Sequence, residues 1–189
     1  MLFELMAPFY DWFIKVANVD HSRRMPEWLA PVEGMEVLDL GGGTGVNART
    51  LTGAGSRVTV VDASRAMLDR AAAKKVPARL IQSNAVNLPL PDESFDLVLI
   101  SDAWHHFRDH AGVVHEVARV LRPGGRLYII DFDPQKGKTR FLALLEKLVA
   151  EPSTFTIPDN LVEMLRQAGI KGDFHYLTAN QFIYKGVKG

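Results

Sequence analysis

A short apolar run that ends in a cluster of glycines constrains the fold of this chain more than any other feature. Residues 37–40 are apolar apart from Asp39, and the sequence Gly-Gly-Gly-Thr-Gly follows at 41–45. Such a run is typical of a buried strand, and residues 44–51 continue as a predicted helix. Glycines let the backbone approach a ligand closely, and more of them stand here than a tight turn needs. The pattern therefore predicts a strand, a ligand-binding turn and a helix, in preference to a plain turn.

The alternation of strands and helices continues along the chain. Further strands are predicted over 57–61, 78–82, 95–100 and 126–130, with helices beginning near Ser64 and covering 113–121. Strands that alternate with crossover helices imply a mostly parallel sheet that is covered on both faces. Because such a sheet binds ligands at the carboxyl ends of its strands, the glycine turn lies at the expected binding edge.

The C-terminal part of the chain has a different pattern. A helix is predicted over 160–167, followed by two strands over 173–177 and 181–187. The connection between these strands is too short for a crossover, so they must be antiparallel. We therefore expect an α/β, doubly wound sheet of seven strands, mostly parallel, with a C-terminal antiparallel hairpin.

The composition of the chain indicates its cellular compartment and the kinds of partner that it can have. The chain has 189 residues, which suits a single domain over 1–189, and its 22 basic residues balance 22 acidic ones. This balance argues against nucleic acid as the main partner. The absence of cysteine fits a reducing compartment, and the apolar runs are too short to span a bilayer. With no secretory signal recognised, we expect a cytoplasmic monomer or homodimer without stable membrane insertion.

The spacing of the glycines and the position of one carboxylate indicate which class of ligand the turn binds. A dinucleotide fingerprint needs glycine at its first, third and sixth positions, but Val46 is sixth here and the glycines fall at the first, third and fifth. This spacing disfavours a nicotinamide dehydrogenase. Asp62 ends the second predicted strand, where a carboxylate can accept hydrogen bonds from both hydroxyls of an adenosine ribose. The alternative role for Asp62 is a cap on the helix that begins near Ser64.

Four segments in order resemble the class I S-adenosylmethionine-dependent methyltransferases, which have a Rossmann-like fold. Residues 37–45 resemble the family's first motif, 60–64 its second, 84–96 the stretch that passes the adenine, and 121–125 the turn before the fifth strand. The resemblance implies S-adenosyl-L-methionine as cofactor and S-adenosyl-L-homocysteine as product. The cofactor-binding residues that we predict are Tyr10, Asp39, Gly41, Gly42, Gly43, Gly45, Asp62, Ala63, Met67, Asn84, Ala85, Val86, Ser101 and Trp104.

The resemblance also indicates a class of acceptor. Most relatives have aspartate where Asn84 stands, and an amide oxygen can accept from the adenine amino group equally well. The Asn84-Ala85 pair is similar to the branch that methylates ubiquinone and menaquinone precursors, whereas residues 104–106 depart from it. We expect a methyltransferase for a small, apolar or aromatic acceptor. The alternatives are a non-catalytic protein that binds the cofactor or its product, and a protein or nucleic-acid methyltransferase.

Candidate catalytic residues follow the fourth predicted strand. His105 and His106 lie at the binding edge, where a histidine can take a proton from the acceptor, or can merely shape the pocket. His106, His110 and His115 do not have the spacing of a metal site, and we expect no metal. A helical cap over 1–30, with Tyr10 near the methionine end of the cofactor, and an apolar helix over 141–149 are the candidate substrate covers. The aromatic residues of the cap could equally pack on the sheet, and the apolar helix could form a dimer face.

Overall fold

The computed structural model describes residues 28, 29, 32–136 and 154–189. Apart from Trp28 and Leu29, the predicted cap over 1–30 lies outside the described residues, as do Tyr10 and the predicted helix over 141–149. The described strands are β1 (Glu36–Leu40), β2 (Arg57–Asp62), β3 (Arg79–Gln82), β4 (Phe95–Ser101), β5 (Leu121–Phe132), β6 (Ile170–Tyr176) and β7 (Gln181–Lys188). The described helices are α1 (Val46–Gly53), α2 (Arg65–Ala73), a short 3-10 helix (Trp104–His106), α3 (His110–Val120) and α4 (Pro158–Gln167).

The seven strands form one sheet in the order β3-β2-β1-β4-β5-β7-β6. Strands β1 to β5 pair in parallel, and β7 lies antiparallel between β5 and β6. From β1 to β3 the strands are added on one side of β1, and β4 and β5 are then added on its other side, so that β2 and β4 flank β1. This is the switch point at which open α/β sheets leave a crevice for a ligand. The predicted fold class is confirmed, including the antiparallel C-terminal hairpin.

Alternating side chains of the central strands supply two separate cores. Leu38 and Val98 face one cluster, which also contains buried residues of α3 and α4. Val37 and Leu97 face the other cluster, together with buried residues of α1 and α2. Because successive side chains of a strand point to opposite faces, an uninterrupted apolar run is what a sheet covered on both faces requires.

The largest departure from the predicted boundaries is at β5. Its pairing with β4 begins at Leu121 opposite Phe95, five residues before the predicted start, and then shifts register so that Arg126 lies opposite Leu97. The Arg-Pro-Gly-Gly segment at 122–125 therefore bulges within the strand and does not precede it. A bulge accommodates the proline, since proline donates no ladder hydrogen bond.

Leu165 provides a test of how α4 is held on the sheet. Its side chain is fully buried in the core cluster that contains residues of α3 and α4, so Leu165→Ala leaves a cavity and should lower the free energy of unfolding by about 2–5 kcal/mol. Urea titration measures the loss. Arg166→Ala, an exposed change one residue further along the same helix, should unfold close to the wild type. Equal midpoints for Leu165→Ala and wild type would show that α4 is not packed as described.

Candidate functional site

A cavity of about 520 Å³ opens at the carboxyl ends of β1, β2 and β4. This volume lies within the range of small-molecule sites. One wall comes from the glycine turn and the end of β2, a second from the segment after β3, and a third from the segment after β4. The lining residues are Leu40, Gly41, Gly43, Val61, Asp62, Ala63, Ser64, Met67, Ser83, Asn84, Ala85, Val86, Asp102, Ala103, His106, Phe107, Arg108, Asp109 and Val113.

Two glycines of the turn are required by close packing. Gly41 has a φ of 75°, and a Cβ there would lie 2.6 Å from the Cβ of Ala103. A Cβ on Gly42 would lie 2.5 Å from Oδ2 of Asp39. The segment after β4 therefore packs directly on the turn, and the Asp39 carboxylate packs beneath it. Neither contact leaves room for a residue larger than glycine at position 41 or 42.

Asp39 is a buried carboxylate behind the cavity wall. It is 1% exposed and does not line the cavity, and neither of its side-chain oxygens has a hydrogen-bond partner among the described residues. Burial, with the charge of Asp62 as a smaller cause, raises the pKa of Asp39 to about 7, and the nearby Ala48 backbone N–H offsets this in part. A cation placed beyond the turn would favour its ionised form.

Asp62 connects the turn to the next helix. Its Oδ2 accepts a hydrogen bond from the Gly43 N–H at 2.9 Å, and its Oδ1 accepts from the Ser64 N–H at 2.8 Å. Burial raises the pKa of Asp62, and these two bonds oppose the shift. Ser64, rather than Asp62, caps α2, because its side chain accepts from the Met67 N–H at 3.3 Å. Asp62 lines the cavity, and each of its oxygens has a second lone pair.

The segment after β3 forms the opposite wall, which we call the 83–86 wall (Ser83, Asn84, Ala85 and Val86). The side-chain oxygen of Asn84 accepts from the Val86 N–H at 3.3 Å, so the asparagine shapes its own turn. Asn84 is exposed and Ala85 is buried. The wall therefore has two polar residues, Ser83 and Asn84, followed by two apolar ones, Ala85 and Val86.

The two neighbouring histidines have different environments. His106 lines the cavity, and burial together with the adjacent His105 lowers its pKa to about 3, although Asp131 acts in the opposite direction. His105 is buried outside the lining. Its Nδ1 lies 2.7 Å from Oδ1 of Asp131, its backbone N–H donates to Oδ2 at 2.9 Å, and its ring stacks on Phe155. Only His106 can meet a ligand in the cavity as described.

The predicted site residues divide into two groups. Nine line the cavity: Gly41, Gly43, Asp62, Ala63, Met67, Asn84, Ala85, Val86 and His106. Six lie outside its lining: Asp39, Gly42, Gly45, Ser101, Trp104 and His105. Trp104 is fully buried, donates from its indole N–H to Thr156, and stacks on His110. Tyr10 lies outside the described residues.

Sequence reasoning missed Asp102, Phe107, Arg108 and Asp109. Asp102 lines the cavity with a φ of 51°, a conformation unusual for a residue other than glycine. Asp109 caps α3 by accepting from the Gly112 N–H at 2.9 Å. A capping signal before a predicted helix at the binding edge would have found Asp109. No sequence signal distinguishes Asp102 from its neighbour Ser101.

The arrangement of sheet and cavity is that of the class I methyltransferase fold. Residues 38–129 match a family model described as a methyltransferase domain, and this match confirms the resemblance seen in the motifs. An S-adenosylmethionine-dependent methyltransferase from Thermotoga maritima superposes with a TM-score of 0.81 at 22% identity, covering 99% of this chain and 98% of that one. A chain from a complex of the Haloferax volcanii Trm112 methyltransferase activator with a methyltransferase superposes with a TM-score of 0.84 at 21% identity, covering 98% and 96%.

Two relatives share more of the sequence. An uncharacterized methyltransferase of Mycobacterium tuberculosis is 46% identical over 106 residues, which are 55% of this chain and 42% of that protein. A demethylmenaquinone methyltransferase of Mycolicibacterium vanbaalenii is 40% identical over 143 residues, which are 72% and 61%. The chain thus matches about half the length of such relatives.

Two further features of the described residues bear on the site. Within 32–136 and 154–189, no three histidine, aspartate or glutamate side chains are grouped so that they would hold a metal ion. None of the described helices has the length and apolar character needed to cross a membrane.

The pKa of Asp39 predicts a dependence of stability on pH. Since its folded pKa, about 7, is above its ordinary value of 3.8, the unfolded chain releases this proton more readily. Its contribution to stability therefore falls as pH rises from about 4 to 7. Relative to wild type, Asp39→Asn should gain about 2–3 kcal/mol in unfolding free energy between pH 5 and pH 8. Urea titrations of both proteins at the two pH values measure this gain, and parallel pH profiles would contradict the assignment.

Proposed function

We propose that this protein is an S-adenosylmethionine-dependent methyltransferase that acts on a small, apolar or aromatic acceptor. The observation that carries the proposal is the cavity, in which the glycine turn, Asp62 and the 83–86 wall meet at one edge of the sheet. Each part comes from a segment that matches the family's motifs, and the residues 38–129 that match the family model include all three.

The residues of the cavity fit the three parts of the cofactor. At Gly41 and Gly43 the cavity is lined by backbone without side chains, which leaves room for the methionine part of the cofactor. The remaining lone pairs of Asp62 can accept from the ribose hydroxyls, and the 83–86 wall can hold the adenine. The glycine spacing, with no glycine at Val46, supports this ligand over a dinucleotide.

Charge supports a cationic ligand. The lining contains the carboxylates of Asp62, Asp102 and Asp109 but one basic side chain, Arg108. Asp39 adds a carboxylate beneath the turn, which a nearby cation would help to ionise. S-adenosylmethionine carries an ammonium and a sulfonium, and the sulfonium makes the methyl group reactive.

His106 is the histidine that we place at the acceptor. With a pKa of about 3 it is uncharged at neutral pH and does not repel the sulfonium. The same pKa makes it a weak proton acceptor, so we assign it hydrogen bonding and orientation of the nucleophile. Methyl transfer from a sulfonium needs chiefly alignment of nucleophile, methyl and sulfur, which can contribute about 7–11 kcal/mol. His105, held by Asp131, would support the position of His106 from behind.

Aromatic side chains around His105 and His106 favour an aromatic acceptor. Phe107 lines the cavity, and Phe155 stacks on the ring of His105. The relatives include proteins named for the methylation of demethylmenaquinone and for ubiquinone/menaquinone biosynthesis. A quinol-like molecule, in which an electron-rich ring carbon receives the methyl group, therefore suits the site best.

Cofactor binding is tested without knowledge of the acceptor. S-adenosylhomocysteine should raise the melting temperature of the wild type, and Asp62→Ala should lose this shift because both the ribose acceptor and the brace on Gly43 are removed. The matched control is Asp69→Ala, which removes an exposed carboxylate of α2 that pairs with Arg65. Stabilisation by NADH but not by S-adenosylhomocysteine would refute the proposal.

Acceptor chemistry is tested with methyl-labelled S-adenosylmethionine. We expect label to enter a 1,4-naphthoquinol and not a nucleic acid or a protein. His106→Asn should lower kcat by about tenfold or more while leaving the affinity for S-adenosylhomocysteine unchanged, since an amide cannot reproduce the imidazole geometry. Binding of the cofactor without transfer to any acceptor would favour the non-catalytic alternative. An unchanged kcat would remove His106 from the acceptor site.

A further inference from the structure

The 83–86 wall belongs to a segment that has no regular secondary structure to hold it. Residues 83–94 connect β3 to β4 without forming a helix or a strand. Strand β3 has four residues and pairs only with β2 among the described strands. Backbone hydrogen bonds hold the two ends of the segment: the Ser83 N–H donates to the Asp62 carbonyl at 3.1 Å, and the Ser94 N–H donates to the Val120 carbonyl at 2.9 Å. The stretch between these ends depends on side chains that reach it from elsewhere.

One ion pair on α3 supplies side-chain hydrogen bonds to the middle of this segment. Oε2 of Glu116 accepts from the Leu88 N–H at 2.7 Å. Nη1 of Arg119 donates to the Leu90 carbonyl at 2.8 Å and to Asp92 at 2.6 Å, while Nη2 donates to the Leu88 carbonyl at 3.1 Å. The pair thus binds both the N–H and the carbonyl of Leu88. We call Glu116 and Arg119 the α3 clasp.

The clasp is rigid within itself. Arg119 donates from Nε to Oε1 and from Nη2 to Oε2 of Glu116, both at 2.8 Å, which is a bidentate arrangement. Bonding from Arg119 is the main reason why the pKa of Glu116 lies below its ordinary value, and Glu116 in turn raises the pKa of Arg119. Both groups therefore stay charged at neutral pH.

A second contact joins the same helix to the wall. A Cβ on Gly112, in the first turn of α3, would lie 3.0 Å from Cγ1 of Val86. Helix α3 therefore meets the segment at Val86 by close packing and at Leu88 by hydrogen bonds. Val86 lines the cavity, and Leu88 is buried two residues further on. The backbone between them has little freedom to move away from α3.

We infer that the α3 clasp positions the 83–86 wall and thereby determines how well the cavity recognises adenine. The inference rests on the proposed function, because it assigns the wall to the nucleoside of the cofactor. Neither clasp residue lines the cavity, so both act as positioning residues through Leu88. A wall released from α3 would keep the hydrogen bond from the Ser83 N–H to the Asp62 carbonyl, but the positions of Ala85 and Val86 would no longer be fixed. Small displacements weaken directional contacts strongly.

The chain contains a matched control for the clasp. Glu163 and Arg166 of α4 have the same three-residue spacing and the same two bonds of 2.8 Å, but they are exposed and their bonds reach no connecting segment. Arg119→Ala and Arg166→Ala therefore break the same kind of pair. Only the first releases the segment that carries the wall.

The experiment is calorimetric titration with S-adenosylhomocysteine and with S-inosylhomocysteine, in which hypoxanthine replaces adenine. Arg119→Ala should weaken S-adenosylhomocysteine binding by about 5- to 30-fold and bring the two dissociation constants closer together. Arg166→Ala should match the wild type for both ligands. Glu116→Gln keeps an acceptor for Leu88 and should retain most of the adenine preference, and it serves as the second variant if Arg119→Ala does not fold.

The possible outcomes separate the clasp from a purely structural role. Unchanged affinity in Arg119→Ala, or an equal loss for both ligands, would overturn the inference, because a general loss of structure does not alter the adenine preference selectively. Loss of the preference in Glu116→Gln as complete as that in Arg119→Ala would overturn it as well. Failure of the wild type to bind S-adenosylhomocysteine would instead refute the proposed function itself.

Discussion

The hydrogen bond from the Gly43 N–H to the Asp62 carboxylate is the interaction on which the rest of the cavity depends. It joins the turn after β1 to the end of β2, while the second oxygen of Asp62 holds the Ser64 N–H at the start of α2. The charge of Asp62 also helps to raise the pKa of Asp39. One carboxylate thus braces the glycine turn, faces the cavity and influences the buried group behind it.

Around this bond, different interactions fix the different walls of the cavity. The glycine turn is fixed by packing, since Ala103 and Asp39 occupy the space that side chains at 41 and 42 would need. The 83–86 wall is fixed by the charged clasp on α3, and the wall after β4 by the buried contact between His105 and Asp131. In the last two walls, charged side chains bind backbone groups that no helix or strand satisfies.

Much of this arrangement was predictable from local pattern. The apolar runs at 37–40 and 95–100 identified strands covered on both faces, and the short C-terminal connection identified the antiparallel pair. The glycines and Asp62 fell at the binding edge for the same reason, since parallel strands end together. The bulge at 122–125 was not predictable, because it depends on the register of β5 against β4, which no sequence period encodes.

The sequence by itself determined the order of elements, the edge at which a ligand would bind and the motifs that resemble a methyl-donor site. Tertiary structure alone decided which neighbouring side chains reach the cavity. In the 3-10 helix, consecutive residues are rotated by about 120°, so His105 turns inward to Asp131 while His106 faces the cavity. The same packing placed Asp102 in the lining, Trp104 in the core, and Glu116 and Arg119 against Leu88. These contacts join residues that are far apart in the chain, so the local sequence pattern does not predict them.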